Sequence, residues 1–316
     1  MKTSRRNFVI NAALLATGGA LSCKVNSAGN HDKKRPYKSL SNLEQVKICV
    51  FSKLFPELGY NELASVVAGM GFDGIDLTVR PEGHLLPENV ETDLPLAVEA
   101  ARKFGLKIYM ITTSIVDADD KYTEPILKTA SSLGIRHYRM GPRYYDEKKS
   151  IPQSLTEIKA GFKKLARLNQ KYNIRGECQN HSGDGFGAAV WDIWEVLKEI
   201  DPEWTGVQYD LFHATVEGAH SWPLGFELLK PYIGTIDIKD FHWKKNDKKW
   251  EPHSVPLGQG MVDYEKFIAL LKENRINVPF SIHNEYLSAA DDLHSKSEKI
   301  KKDLTTLRKW LNEAGL

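Results

Sequence analysis

Short runs of β-branched and aromatic residues alternate along the chain with longer stretches whose apolar positions recur every three or four residues. The short runs are Lys47–Ser52, Gly74–Thr78, Lys107–Thr112, His137–Gly141, Ile174–Asn180, Gly206–Asp210, Gly234–Lys239 and Pro279–Asn284, each of strand length. The longer stretches carry helical stripes. One holds Leu63, Val66, Val67 and Met70, and another holds Phe162, Leu165, Ala166 and Leu168. A last helix from about Asp291 to Leu311 sets Ile300, Leu304, Leu307 and Leu311 on one face. Gly71-Phe72, Gly105-Leu106 and Gly134-Ile135 mark where a helix ends ahead of the next strand, since glycine accepts the left-handed conformation there without a steric cost.

Strand and helix alternating eight times predicts a parallel sheet closed into a (β/α)8 TIM barrel of the α/β class, a single domain over residues 41–316. An open doubly wound sheet is the rival, and no Gly-x-Gly-x-x-Gly follows the first strand to support it. Residues 1–40 are read as targeting sequence and a polar tether. Ser4-Arg5-Arg6-Asn7-Phe8-Val9 has the form of a twin-arginine export signal, and the apolar run Val9 to Leu21 behind it is broken by Gly18-Gly19. That run is shorter than the ~20 residues a membrane-spanning helix needs. Cys23 closes the stretch Gly19-Ala20-Leu21-Ser22-Cys23, so it is a candidate lipid anchor, with a plain signal cut near Ala28 as the alternative. Either way the expected location is outside the cytoplasm, periplasmic or as a membrane-anchored lipoprotein.

Charge narrows the partners. Lys2, Arg5 and Arg6 supply three positive charges, so without them the formal +2 becomes −1. No basic block is large enough to attract a phosphate backbone, and no nucleic-acid partner is expected. Lys244, Lys245, Lys248 and Lys249 form a local patch, read as a solvated loop. Cys49 and Cys178 lie in apolar strand runs and are expected as buried thiols.

The chemistry gathers where the strands end. Asp76 and Arg80 follow the second strand, Arg139 the fourth, and Gln179-Asn180-His181 the fifth. Asp210 and His213 follow the sixth, Asp237, Lys239, Asp240 and His242 the seventh, and His283 and Glu285 the eighth. Alternation puts Glu177 with Gln179, Asp237 with Lys239, and His283 with Glu285 on shared faces. Carboxylates, imidazoles and an amide at one end of successive strands suit a metal site or an acid–base pair. Glu177 is either paired with Arg175 or a working group, and Asp240 and His242 are either functional or loop caps. Trp222, Phe241, Trp243 and Trp250 near the strand ends suit stacking on sugar rings or ordinary packing. Trp191 and Trp194, at helical spacing, are expected in the core or an interface.

The segments Gly71-Phe72-Asp73-Gly74-Ile75-Asp76-Leu77-Thr78, Tyr209-Asp210-Leu211-Phe212-His213, Ile236-Asp237-Ile238-Lys239-Asp240 and Pro256-Leu257-Gly258-Gln259-Gly260, in that order, resemble the xylose-isomerase-like TIM-barrel superfamily of sugar isomerases and epimerases. The resemblance implies one divalent ion held by Glu, Asp, His and Glu from strands five to eight. Those positions fall on Gln179, Asp210, Asp237 and His283, the last shifting to Glu285 if the strand slips by two. The implied cofactor is Mn²⁺, Co²⁺, Mg²⁺ or Zn²⁺, with two carboxylates where the family has three. The implied activity is a sugar isomerase or epimerase, or a related lyase or dehydratase, acting on a keto-sugar or oxidised glycoside by proton removal beside a carbonyl. In that reading Glu177, Glu285 and Lys239 are catalytic, while Asp76, Arg80, Arg139, His181 and His213 bind a small carbohydrate. A homo-oligomer is a further expectation. The alternative is a sugar-binding protein that kept the barrel and lost the metal.

Overall fold

The structure is a computed structural model that describes residues 45–316. The twin-arginine segment and Cys23 lie outside the described residues. Eight parallel strands form the barrel: β1 (Ile48–Phe51), β2 (Gly74–Val79), β3 (Lys107–Thr113), β4 (His137–Arg139), β5 (Arg175–Gln179), β6 (Thr205–Asp210), β7 (Ile233–Ile238) and β10 (Phe280–Ile282). They match the eight runs expected from sequence. β1 closes the ring by pairing with β2 on one side (Cys49 opposite Gly74) and β10 on the other (Ile48 opposite Phe280). Around it run α1 (Tyr60–Met70), α2 (Val90–Lys103), α3 (Thr123–Ser132), α4 (Ile151–Tyr172), α5 (Val190–Leu197), α6 (Leu211–Gly218), α7 (Trp222–Leu229), α8 (Tyr264–Glu273) and α9 (Leu293–Ala314). Gly71 ends α1 at φ +91°, the left-handed cap that its sequence position predicts.

Alternation along each strand sorts the residues between two cores. Ile75, Leu77, Val207, Tyr209, Ile236, Ile238, Phe280 and Ile282 turn outwards and join the helix stripes of Leu63, Val67, Phe162, Leu165, Leu304 and Leu307 in one apolar cluster. The inward set is polar and buried: Asp76, Thr112, Glu177, Gln208, Asp210, Thr235, Asp237 and Ser281. Barrel interiors are ordinarily filled with branched apolar side chains. Here hydrogen-bonding groups fill that space, and each needs a partner.

Beyond β7 the chain departs from the sequence reading. The lysine patch lies on an antiparallel hairpin, β8 (Asp240–Asn246) and β9 (Lys249–Val255), and is not part of an irregular loop. The tight turn contains Asp247 at φ +50° and no glycine, and Pro252 sits within the second strand opposite Trp243, so the usual hairpin signals are missing. Asp240 roots the hairpin by accepting backbone N–H bonds from Phe241, Gly258, Gly260 and Val262 at 2.9–3.2 Å. It is therefore a loop anchor. Trp191 is 58% exposed on α5 and so lies outside the core, whereas Trp194 packs against it.

Candidate active site

The polar interior divides into two tiers. In the lower one, Glu177 at the middle of β5 accepts at Oε1 from His137 Nδ1 (2.8 Å) and at Oε2 from the Thr235 hydroxyl. Arg175 Nε lies 3.9 Å from the same carboxylate, and its Nη2 donates to the Tyr232 carbonyl at 2.6 Å. A Cβ on Gly234 would fall 2.0 Å from Glu177 Oε1, so only glycine lets this cluster form. Glu177 is 1% exposed. Glu177, expected as a proton carrier, points into the barrel one residue pair below Gln179, with both oxygens occupied by protein partners.

The upper tier is built at the strand ends. Asp210 finishes β6 and caps α6, its Oδ1 accepting from the His213 backbone N–H at 3.1 Å. Its Oδ2 receives Gln179 Nε2 (2.8 Å) and faces Lys239 Nζ (3.1 Å). Gln179 Nε2 also donates to Asp237 Oδ2 at 2.6 Å, while Arg139 Nη1 donates to Gln179 Oε1 at 3.1 Å. That last bond fixes which way round the amide stands. His283 Nε2 sits 3.2 Å from Asp237 Oδ1, with its ring stacked on Phe51 at 4.2 Å. Asp76 lies beneath, accepting from Thr112 (2.8 Å) and Ser281 (2.9 Å).

Lys239 is the hub. Its Nζ touches His213 Nε2 (2.8 Å), Asp210 Oδ2 (3.1 Å) and Glu285 Oε1 (3.3 Å). An ammonium only donates, so His213 Nε2 accepts and its Nδ1–H donates to Ser182 Oγ at 2.8 Å. Burial, reinforced by the adjacent Lys239 charge, pushes the His213 imidazole down to about 2, with Asp210 pulling the other way, so the ring is neutral. Burial works against the charge on Lys239, but Asp210 and Glu285 outweigh it and raise its pKa above the ordinary lysine value. Burial likewise opposes ionisation of Asp210, yet the Lys239 ammonium and the His213 backbone N–H hold the carboxyl below its ordinary value. Asp237 goes the opposite way, raised to about 7 by burial, with Asp210 adding to the rise while His283, Arg139 and Lys239 counter it.

A cavity of about 260 Å³ opens above this tier. Gln179, Arg80, Arg139, His181, Lys239, His283 and Glu285 line it, as their strand-end positions predict. Asp76, Asp210, Asp237 and His213 do not line it, and each is at most 5% exposed. Asp76 and His213, expected as substrate contacts, stand behind the lining residues, with His213 Nε2 against Lys239 Nζ. The wall also includes Phe51, Lys53, Arg143, Tyr144 and Phe186, which the sequence reading missed. Lys53 and Phe51 were findable, because they close the first strand, the one whose end was not read for chemistry. None of Trp222, Phe241, Trp243 and Trp250 lines this cavity.

The four expected metal positions are neighbours but do not form a cage. Gln179 presents two N–H donors to the carboxylates where a ligand must present a lone pair. The Lys239 ammonium already stands against Asp210, and a divalent ion bound there would face it at close range. Among the described residues no group of three or more His, Cys, Asp or Glu is arranged to hold a metal ion. The donor set thus fits a site whose positive charge comes from the protein.

The xylose isomerase-like TIM-barrel family profile matches residues 64–310. Among curated proteins no relative matches the chain by sequence. Solved structures do match in shape. A D-tagatose 3-epimerase-like protein superposes with a TM-score of 0.66 at 16% identity, over 85% of this chain and 98% of that one. The probable 3-DHS dehydratase AsbF of Bacillus anthracis gives 0.64 at 15% identity over 83% and 98%. The 3-keto-D-glucoside 4-epimerase YcjR of E. coli gives 0.63 at 12% identity over 83% and 100%. At these identities the likeness is one of fold.

Proposed function

The chain belongs to the xylose isomerase-like TIM-barrel family, and from that premise we propose that it is an acid–base enzyme that removes a proton beside a carbonyl of a small carbohydrate. The observation that carries this reading is the Lys239–Glu285 contact of 3.3 Å on the floor of the cavity. One partner is a cation buried to 3% side-chain exposure, and the other is a carboxylate 48% exposed to the space a substrate would fill. The cavity is below the ~300–1,000 Å³ of drug-sized sites and suits one sugar ring.

In this proposal the substrate carbonyl oxygen accepts from Arg139 and from the Lys239 N–H that Glu285 gives up as it turns to the substrate. Glu285 takes the proton from the neighbouring carbon as that C–H bond breaks. The electron pair moves onto the oxygen, giving an enediolate that the two cations stabilise. Return of the proton to the other face of the same carbon gives an epimer, return to the former carbonyl carbon gives an isomer, and loss of a β-substituent gives an elimination product. The raised pKa of Lys239 argues for an ammonium and against an imine-forming amine. Epimerisation next to a keto group and dehydration, the activities in two neighbours' names, both pass through such a proton removal. Carbohydrates outside the cytoplasm are the proposed substrates, on the strength of the Ser4-Arg5-Arg6 segment.

The test is proton NMR of keto-sugars and 3-keto-glycosides incubated with the protein in D₂O. Deuterium enters beside the carbonyl with the native chain, and Glu285→Gln slows it by about 10²–10⁴-fold while the fold is kept. Absence of exchange in every keto-sugar, with binding retained, would instead favour a sugar-binding protein.

A further inference from the structure

The cavity holds more positive charge than a single carbonyl requires. Lys53, Arg80, Arg139, Arg143 and Lys239 line it, and Glu285 is the one carboxylate among the lining residues. Three of those cations have work within the protein. Lys239 serves Asp210 and Glu285, and Arg139 holds Gln179 and lies 3.8 Å from Asp237. Arg143 donates to the Val116 carbonyl and lies over the Phe162 ring at 4.6 Å.

Arg80 differs. It is partly buried at the end of β2, and among the described residues its guanidinium makes no hydrogen bond or ion pair. Its contact is with the Phe51 ring, 5.9 Å from the centroid, and Arg139 approaches the same ring at 5.3 Å. Burial and the neighbouring Arg139 charge lower the pKa of Arg80, with Asp76 opposing them. Two guanidiniums on one ring repel each other, and an anion seated between them would relieve that repulsion. A part-buried guanidinium on a cavity wall, with no protein acceptor among the described residues, describes a binding position.

We infer that the substrate is a sugar acid whose carboxylate is seated on Arg80, with Arg139 and Lys53 beside it. The planar guanidinium fork matches a carboxylate through two parallel hydrogen bonds. Fixing that end of the molecule orients the ring and presents its carbonyl to Lys239. This rests on the cavity being the sugar site of the proposed function, though not on the chemistry that follows binding.

The test is calorimetric titration of the full chain with paired probes: D-glucuronate against D-glucose, D-galacturonate against D-galactose, and glucose 6-phosphate as the phosphate arm. At least one hexuronate should bind ten times more tightly or better than its parent hexose. Arg80→Met should remove that preference, and Arg80→Lys should keep part of it. Equal affinity for acid and hexose, no binding of either hexuronate, tighter binding of glucose 6-phosphate, or a preference that survives Arg80→Met would each overturn the assignment. Binding is read directly, so failure of deuterium exchange in the other experiment leaves this result standing.

Discussion

Glu177 and Asp210 project into the same barrel from adjacent strands, both carboxylates, both almost fully buried. Glu177 is saturated from three sides, by His137 of β4, Thr235 of β7 and Arg175 on its own strand. Gly206 and Gly234 leave the space this cluster fills. Asp210 is also paired, but its cation has a second allegiance, because Lys239 reaches Glu285 at the cavity floor. Burial, charge and hydrogen bonding are therefore common to both tiers. What separates them is whether the counter-cation continues to a surface a ligand can touch.

The strongest challenge to that distinction is to remove one member from each tier. Breaking a buried ion pair by deleting one partner costs about 3–5 kcal/mol, because the other charge is stranded. Glu177→Ala should lose that much in urea unfolding while the exchange rate per folded molecule stays at the native level. Lys239→Met should lose similar stability by stranding Asp210, and in addition lose about 10²–10³-fold in exchange rate, the usual effect of removing one oxyanion donor. An inactive but folded Glu177→Ala protein would mean that the lower tier takes part in the chemistry.

The barrel was legible in the sequence because its period-2 runs and helical stripes are long, regular and repeated eight times. The set of strand-end residues was legible for the same reason, since a parallel barrel delivers the ends of all its strands to one face. Depth was not. Glu177 and Gln179 share a face two residues apart, and only the barrel's closure shows that one is sealed and the other open. The depth of Asp76 and His213 was hidden likewise, because the partners that claim them, Ser281 and Ser182, are far away in sequence. Asp240 could not be told from a catalytic carboxylate until the loop from Gly258 to Val262 folded over it. The expected ligand set named four true neighbours, but which way the Gln179 amide stands depends on Arg139, a contact no spacing encodes.

A smaller effect tests whether the cations are what keep the tiers ionised. Asp303 on α9 is another buried carboxylate, hydrogen-bonded by Asn284 (2.6 Å) and Tyr286 (2.9 Å), on either side of Glu285, and by the Leu257 N–H (3.2 Å). It has donors but no ion pair among the described residues, and burial raises it to about 6 against their pull. A raised folded pKa means its contribution is full below the unfolded value near ~3.9 and is lost as pH climbs through about 6. That shift corresponds to roughly 2–3 kcal/mol. Unfolding free energy measured from pH 4 to 7.5 should fall more steeply for the native protein than for Asp303→Asn. Matching slopes would show that hydrogen bonds alone suffice to hold a buried carboxylate charged here, and would weaken the weight given to Lys239.

The smallest expected effect is the response to divalent ions, and it bears on whether the upper tier takes its positive charge from Lys239 or from a metal. A folded-state site occupied at a hundred times its dissociation constant adds about 2.7 kcal/mol, which moves the melting temperature of a chain this size by several degrees. Gln179 turns its N–H groups to Asp210 and Asp237, and Lys239 faces Asp210 at 3.1 Å. An incoming ion would have to flip the amide away from Arg139 and displace the ammonium. Mn²⁺, Co²⁺ or Zn²⁺ should therefore leave the melting temperature of the native protein where EDTA leaves it. In Lys239→Met the repulsion is gone and two carboxylates are left short of charge, so the same ions should now stabilise. A shift of several degrees in the native protein would show that the amide and the ammonium yield to a metal, and the positive charge of the site would then have to be assigned to the ion instead of to Lys239.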